Sequence, residues 1–354
     1  MKKALLAILL IISAACLADG PEGFPIIADI RSAGFNACLC RGNTPEMMQK
    51  ALDMAQKHGM KVILFSRLLL DHPDKYVPMV REHEALWQYY LVDEPLMKDW
   101  DWIDASQKKF QQLDPDAQCY INLLPNTGKD VLRLIGLDSY PQYLQAFSRI
   151  SQPQISYDFY PVQKETVRSD KWYPILDDIR AESLHTGRPF WAYVLCVPHF
   201  IYPMPTIGHL RLQCYVNLAY GAQGIEYFSY STPEPYKQYD FHDGPLLRSG
   251  KKSSTYTLVK QMNAELKPVA SLFWKSRILH IEHKQVTGGE VLVSYFTKGG
   301  KSYTCFVNKS AFEPVTLTLR PKKYDKRITK TLGEDTVRKS YTLPAGDILI
   351  LRNK

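Results

Sequence analysis

Two acidic residues stand side by side where an aromatic run of the sequence ends. The run WQYYLV (residues 87–92) is followed by Asp93 and Glu94, and then by Pro95, which stops a strand and fixes the turn. A carboxylic acid held at such an apolar mouth has its pKa raised and keeps a proton to donate. Glu94 is therefore the first candidate for a general acid. The alternative is a strand-end acid that caps a helix or pairs with an arginine.

Further polar and aromatic side chains follow the other apolar runs of the sequence. Asp158 stands near the end of QISYDFY (residues 154–160) and is the favoured second carboxylate. A barrel-rim hydrogen-bonding role is its alternative. The side chains that we expect to contact a ligand are Asp93, Asn122, Tyr160, Tyr193, His199 and Tyr230. Each has a structural alternative, because strand aromatics are more often core residues and a lone loop histidine is more often structural.

Short apolar strands alternate with amphipathic helices through the middle of the chain. The pattern predicts seven strands, at residues 35–40, 61–65, 87–92, 118–124, 154–160, 189–196 and 224–230. Repeated strand–helix units indicate a parallel sheet covered by helices, and the loops after the strands of a barrel carry its active site. A closed barrel needs eight strands, so the first would have to come from residues 18–30, which read poorly as a strand.

The predicted fold is an α/β (β/α)8 TIM-type barrel with a poorly defined first strand, followed by a small antiparallel β-sandwich. The chain of 354 residues is long enough for both. After residue 273 the hydrophobic pattern changes to period two, with Gly299-Gly300 as a hairpin turn. We therefore expect a signal peptide at residues 1–18, the barrel at residues 19–275 and the C-terminal domain at residues 276–354.

The first residues resemble a secretion signal. Lys2 and Lys3 precede an apolar run (residues 4–12) that is too short for a membrane span, and small residues follow it up to Cys16. Cleavage after Ala18 and lipidation of Cys16 at a lipobox-like site both stay open. The protein is expected to be exported, as a periplasmic protein or a membrane-anchored lipoprotein. A core strand or helix is the structural alternative.

Charge and cysteine usage exclude several classes of function. The net charge of +8 is spread thinly, without a basic stripe interleaved with aromatics, so nucleic-acid binding is not expected. The cysteines do not form a disulfide framework, and C-x-x-C and H-E-x-x-H motifs are absent from the sequence. We expect no metal and no cofactor, which argues against a metal-dependent hydrolase.

Four segments together resemble a known class of enzymes. The segments are WQYYLVDEP, QCYINLLP, ISYDFYP and GAQGIEYFSYSTP, at residues 87–95, 118–125, 155–161 and 221–233. They are similar to retaining glycoside hydrolases of the clan A barrel type, in particular the β-galactosidase-like, family 42-related proteins of bacterial polysaccharide-utilisation clusters. The resemblance implies that Glu94 is the acid/base at the end of the fourth strand.

The sequence departs from that resemblance at two positions. Asp93 stands where such enzymes usually have asparagine, and the seventh strand (residues 190–196) lacks the glutamate that acts as nucleophile. Asp158, Glu226 or a group of the substrate could replace it. The resemblance thus predicts a glycoside hydrolase that acts on an oligo- or polysaccharide. The alternative is a catalytically inactive carbohydrate-binding barrel that has lost its nucleophile.

Overall fold

A computed structural model describes residues 11–16, 25–328 and 334–354, and its first part is a closed barrel of eight parallel strands. Each strand pairs with the next one along the chain, and the eighth pairs with the first. The seven strands predicted from the sequence are confirmed within about two residues at each end. The strands are β1 Ile11–Cys16, β2 Ala37–Arg41, β3 Lys61–Phe65, β4 Leu86–Asp93, β5 Cys119–Leu123, β6 Ile155–Asp158, β7 Phe190–Leu195 and β8 Gly224–Phe228.

Helices cover the outside of the barrel and bury apolar side chains in the core. In the second helix, Pro45 occupies the first turn and the Thr44 side chain accepts a hydrogen bond from the Met47 N–H at 3.2 Å. The helices are α1 Pro25–Ser32, α2 Pro45–Lys57, α3 Arg67–Asp71, α4 Pro73–Val80, α5 Trp100–Leu113, α6 Lys129–Ile135, α7 Tyr140–Ser148, α8 Ser169–Thr186, α9 Ile207–Tyr220 and α10 Ser254–Phe273. No helix of the described ranges is both long and apolar enough to span a bilayer.

The first strand lies elsewhere than the sequence predicts. Residues 18–30 were expected to supply it, but Pro25–Ser32 is helix α1, and β1 precedes that helix at Ile11–Cys16. Ser13 in β1 pairs with Ala37 on one side and Glu226 on the other, which closes the barrel. A short apolar run is compatible with a strand as well as with a signal peptide, and periodicity alone does not separate the two. Residues 1–10, 17 and 18 of the predicted signal lie outside the described residues, and export stays a prediction.

The C-terminal part is an antiparallel β-sandwich that begins at Arg277. A six-stranded sheet faces a two-stranded sheet, and Val291, Phe306, Val315 and Leu351 are among the side chains buried between them. The strands are β9 Arg277–Val286, β10 Gly289–Lys298, β11 Lys301–Asn308, β12 Val315–Thr318, β13 Tyr324–Ile328, β14 Glu334–Asp335, β15 Ser340–Leu343 and β16 Ile348–Asn353.

The sandwich packs on the helical side of the barrel. The Ser294 hydroxyl donates to the Ala219 carbonyl at 2.7 Å, and the Phe273 and Phe296 rings stack with centroids 5.3 Å apart. These contacts involve helices α9 and α10, which lie outside the ring of strands. The domain therefore supports the barrel wall and does not border the cleft described below.

Candidate active site

A β-bulge in strand β4 sets the direction of the acidic pair. Tyr90 pairs with Tyr120, whereas Val92 pairs with Ile121, so Leu91 is an extra residue on the bulged strand. The bulge brings Asp93 into register with Asn122 at the end of β5. Bulges of this kind re-aim side chains beside functional sites.

Glu94 adopts a left-handed backbone conformation, with φ +47°. This conformation costs about 1–2 kcal/mol for a residue that carries a Cβ atom. Two hydrogen bonds hold it: the Glu94 N–H donates to the Asn122 carbonyl at 2.9 Å, and the Tyr143 hydroxyl donates to the Pro95 carbonyl at 2.7 Å. A strained backbone persists where its surroundings over-determine it, which is frequent at active sites.

Two adjoining cavities open at the carboxyl ends of the barrel strands. The larger has a volume of about 580 Å³ and the smaller about 290 Å³. The larger volume is in the usual range for small-molecule sites. Both cavities are lined by Glu94, Asp158, Tyr160, His199 and Tyr239, so the two candidate catalytic carboxyl groups lie where the cavities meet.

One amide group links two carboxylates at this junction. The Asn122 side-chain nitrogen donates to Asp93 Oδ1 at 3.1 Å and to Asp158 Oδ1 at 2.9 Å. The Ser156 hydroxyl donates to the Asn122 side-chain oxygen at 3.1 Å, which sets the orientation of the amide. The β4, β5 and β6 strand ends thus form a single hydrogen-bonded unit, which we call the carboxylate wall (Asp93, Glu94, Asn122 and Asp158).

Burial raises the pKa values of all three acids, and the charges of neighbouring acids add to the shifts of Glu94 and Asp158. Desolvation, and then the charge of Asp93, raise the pKa of Glu94 to about 7. The pKa of Asp158 is raised well above its usual range by desolvation, followed by the charges of Glu94 and Asp93. Desolvation also raises the pKa of Asp93, against hydrogen bonds from Asn122 and Tyr90. These shifts favour the protonated forms of the acids, so we expect the cluster to hold a proton near neutral pH.

Glu226 lies beneath the carboxylate wall, inside the barrel. Only 1% of its surface is exposed, and it lines neither cavity. The Tyr120 hydroxyl lies 3.0 Å from both of its carboxyl oxygens, and the Ser156 hydroxyl lies 2.9 Å from one of them. Desolvation raises its pKa to about 8. Glu226 therefore does not reach a ligand in the cavities, and its link to the carboxylate wall runs through Ser156.

The opposite side of the cavities is aromatic. His199, Tyr202, Phe228, Tyr239 and Phe241 line it, and we call these five residues the aromatic wall. Desolvation lowers the pKa of His199, whose Nδ1 lies 3.0 Å from the Val197 carbonyl oxygen. The neutral ring therefore donates from Nδ1 and keeps Nε2 as an acceptor, which suits a hydroxyl group of a ligand.

Seven of the eight site residues expected from the sequence line the larger cavity: Asp93, Glu94, Asn122, Asp158, Tyr160, Tyr193 and His199. Their contact with a ligand stays a prediction. The prediction for Tyr230 is wrong. That side chain is fully buried and packs on Phe35 and Tyr256, with ring centroids 5.8 and 6.4 Å away. Strand β8 ends at Phe228, and it is Phe228 that faces the cavity.

The sequence did not predict three cationic and two aromatic residues that line the cavities. Arg41 directly follows the buried part of β2, so the strand-end rule that found Glu94 could have found it. Arg168 and Lys171 lie at the start of α8 and add two cationic side chains to the smaller cavity. Tyr239 and Phe241 come from the long loop after β8, which has no periodic pattern to place it.

No protein family and no curated protein matches the sequence. Solved structures match the fold. A β-galactosidase from Bacillus circulans sp. alkalophilus has a TM-score of 0.69 at 8% identity, with 98% of this chain and 99% of that chain covered. A glycoside hydrolase family 5 protein from Bacteroides vulgatus has a TM-score of 0.63 at 12% identity, with 98% and 89% covered.

A β-galactosidase from the psychrophilic Marinomonas ef1 has a TM-score of 0.55 at 14% identity, with 74% of this chain covered. The chain spans 60% of the length of that enzyme. The Bacillus circulans and Bacteroides vulgatus proteins therefore share the fold of nearly the whole chain, and the Marinomonas enzyme shares the fold of about three quarters of it. At identities this low, the likeness concerns the fold alone.

Proposed function

We propose that the protein is a glycoside hydrolase that acts on an oligo- or polysaccharide, with Glu94 as general acid. The observation that supports this most directly is the junction of the two cavities, where Glu94 and Asp158 lie together with raised pKa values. Glycosidases use such a pair, one protonated and one ionised, across the scissile bond. The fold shared with β-galactosidases and a family 5 glycoside hydrolase agrees with this proposal.

We assign the proton of the cluster to Glu94 on the basis of hydrogen bonding, although burial also raises the pKa of Asp158. The Asn122 amide donates to Asp93 and Asp158, and hydrogen bonds of this kind favour the ionised form of an acid. The pKa of Glu94 is shifted by desolvation and by the charge of Asp93, both of which favour its protonated form. Glu94 then donates to the glycosidic oxygen as the bond to the anomeric carbon breaks.

Asp158 is the proposed partner of Glu94. As a base it would take a proton from a water molecule that attacks the anomeric carbon, which inverts the configuration. As a nucleophile it would form a glycosyl-enzyme ester that water later hydrolyses, which retains the configuration. Inversion requires carboxyl groups about 6.5–9.5 Å apart and retention about 5–5.5 Å. NMR of the first-formed anomer distinguishes the two routes.

A non-hydrolytic carbohydrate-binding barrel is the second candidate. Strand β7, Phe190–Leu195, has no carboxylate in its sequence, although the enzymes that the chain resembles have their nucleophile at the end of that strand. A barrel that kept the cavity and lost this group would bind saccharides without cleaving them.

The experiment is a screen for sugar release from plant, algal and host glycans, with Glu94→Gln, Asp158→Asn and, as a control, Glu82→Gln on the exposed outer surface. Release that disappears in Glu94→Gln and persists in Glu82→Gln supports the hydrolase. Saccharide binding without release by the unaltered protein supports the binding barrel. Release that survives Glu94→Gln contradicts the assigned acid.

Export is part of the proposal and rests on the N-terminal sequence. Intact mass spectrometry of the protein from a Gram-negative host tests it: a mature chain that begins at a lipidated Cys16 or at residue 19 supports export. A chain that begins at Met1 contradicts it. Because residues 11–16 form β1, either form of processing removes most or all of a barrel strand.

A further inference from the structure

Phe200 departs from the usual residue preference of a tight loop, next to His199, which lines both cavities. It is the first residue of a two-residue loop, whose flanking residues His199 and Tyr202 exchange backbone hydrogen bonds of 3.1 and 2.8 Å. The backbone of Phe200 has φ +49°, whereas Ile201 does not have a positive φ. Glycine usually occupies the first position of such a loop.

The side chain of Phe200 is apolar, although its surroundings are largely solvent. Its exposed fraction is 59%, so a large apolar ring stands in water on a strained backbone. Neither feature stabilises the folded chain. The backbone at Phe200 is nevertheless held in place, because the Phe200 N–H donates to the Asp240 carboxylate at 2.6 Å. This bond ties the loop to the segment that follows β8.

A row of aromatic rings connects Phe200 with the interior of the cleft. Tyr160, which lines both cavities, stacks with Phe228 at 6.1 Å between ring centroids. Phe228 contacts Phe241 at 6.0 Å, and Phe241 stacks with Tyr239 at 5.9 Å. Tyr239 contacts Phe200 at 6.3 Å. Phe200 is thus the outer end of an aromatic path that begins beside the carboxylates.

We propose that Phe200 forms an outer sugar-binding subsite, where its ring packs on the C–H face of one unit of a saccharide chain. The inference rests on the proposed function, since the scissile bond of that chain lies at Glu94 and Asp158. An aromatic ring on a fixed backbone suits this task, because its side chain has only two rotatable bonds and loses little conformational entropy when it binds an apolar face. The substrate is then an oligo- or polysaccharide that reaches from the carboxylates to the rim.

The test is Phe200→Gly, measured on a saccharide series from disaccharide to hexasaccharide and by thermal unfolding. Glycine relieves the left-handed backbone and removes the ring, so the unfolding midpoint rises while the preference for long over short saccharides, as a ratio of kcat/KM, falls about tenfold. Phe200→Tyr keeps the preference. Lys275→Gly is the matched control, because Lys275 is exposed at φ +51° away from the cavities. It leaves the preference unchanged.

Two outcomes overturn the subsite: a lower unfolding midpoint in Phe200→Gly, which would make Phe200 a folding residue, or an unchanged preference for long saccharides. The same series titrated calorimetrically into Glu94→Gln, with and without Phe200→Gly, separates this proposal from the proposed function. Affinity that rises with chain length and loses that rise in Phe200→Gly supports the subsite even if no saccharide is cleaved. Affinity independent of chain length overturns it.

Discussion

The carboxylate wall and the aromatic wall face the same cavities, yet they are built in opposite ways. The first consists of four residues at the ends of β4, β5 and β6, joined by the Asn122 amide. The second comes mainly from the segments that follow β7 and β8 and is held by ring contacts. Charge and the positions of the strand ends determine the properties of the carboxylate wall, and apolar contacts determine those of the aromatic wall. Changes in the first should therefore alter pH dependence, and changes in the second should alter affinity.

The largest effect is expected for Glu94→Gln, which keeps the shape of the side chain and removes its proton. General-acid catalysis contributes about 10²–10⁴-fold, so kcat/KM should fall by about 10³. In the unaltered protein, activity should decline as the pH rises through about 7, where Glu94 ionises. Steady-state kinetics over a pH series checks both, with Glu82→Gln as the unaffected control. If activity declined at the same pH and by the same factor in Glu94→Gln and Glu82→Gln, the assignment of Glu94 as the acid would be contradicted.

A smaller loss, about 100-fold in kcat/KM, is expected for Asn122→Ala, because misplaced catalytic groups cost about this much. The amide stabilises the ionised forms of Asp93 and Asp158, so its removal raises their pKa values further. The acidic limb of the pH–rate profile should therefore move to higher pH. A fall in kcat with an unchanged acidic limb would show that Asn122 does not act on the carboxylates.

Glu226→Gln tests the group beneath the carboxylate wall through stability. The folded pKa of about 8 lies above the ordinary 4.5, so the stability associated with neutral Glu226 is present below pH 4.5 and is lost as the pH rises to about 8. Glutamine does not ionise, and the variant should gain a few kcal/mol over the unaltered protein between these pH values. Chemical denaturation at both ends of the window measures the gain. A constant difference would contradict the raised pKa.

The smallest effect is expected on the aromatic wall. Phe241→Ala removes a ring that contacts His199 at 4.4 Å and Tyr239 at 5.9 Å, and affinity for saccharide should fall about tenfold. The pH–rate profile should keep its shape, because Phe241 carries no charge. Calorimetric titration and the pH series together check this. A shifted profile would show that the two walls are coupled more closely than their contacts suggest.

The two walls also differ in how well the sequence predicts them. Asp93, Glu94, Asn122 and Asp158 each follow an apolar run, and parallel strands end at the same edge of a barrel, so the strand-end rule finds all four. Tyr239 and Phe241 belong to a loop whose path depends on long-range contacts, such as the Asp240 carboxylate that binds the Phe200 N–H. Tyr230 was misassigned for the same reason, since only the end of β8 decides which aromatic residue faces the cavity.

The sequence by itself determined the alternation of strands and helices, seven of the eight barrel strands and the carboxylate wall, because hydrophobic periodicity and strand-end position are local properties. Tertiary structure alone decided the rest. It placed β1 at Ile11–Cys16, where pairing with β2 and β8 outweighs an ambiguous apolar pattern. It also buried Glu226 and brought Phe200 to the rim, since burial and proximity depend on chain segments that are far apart in sequence.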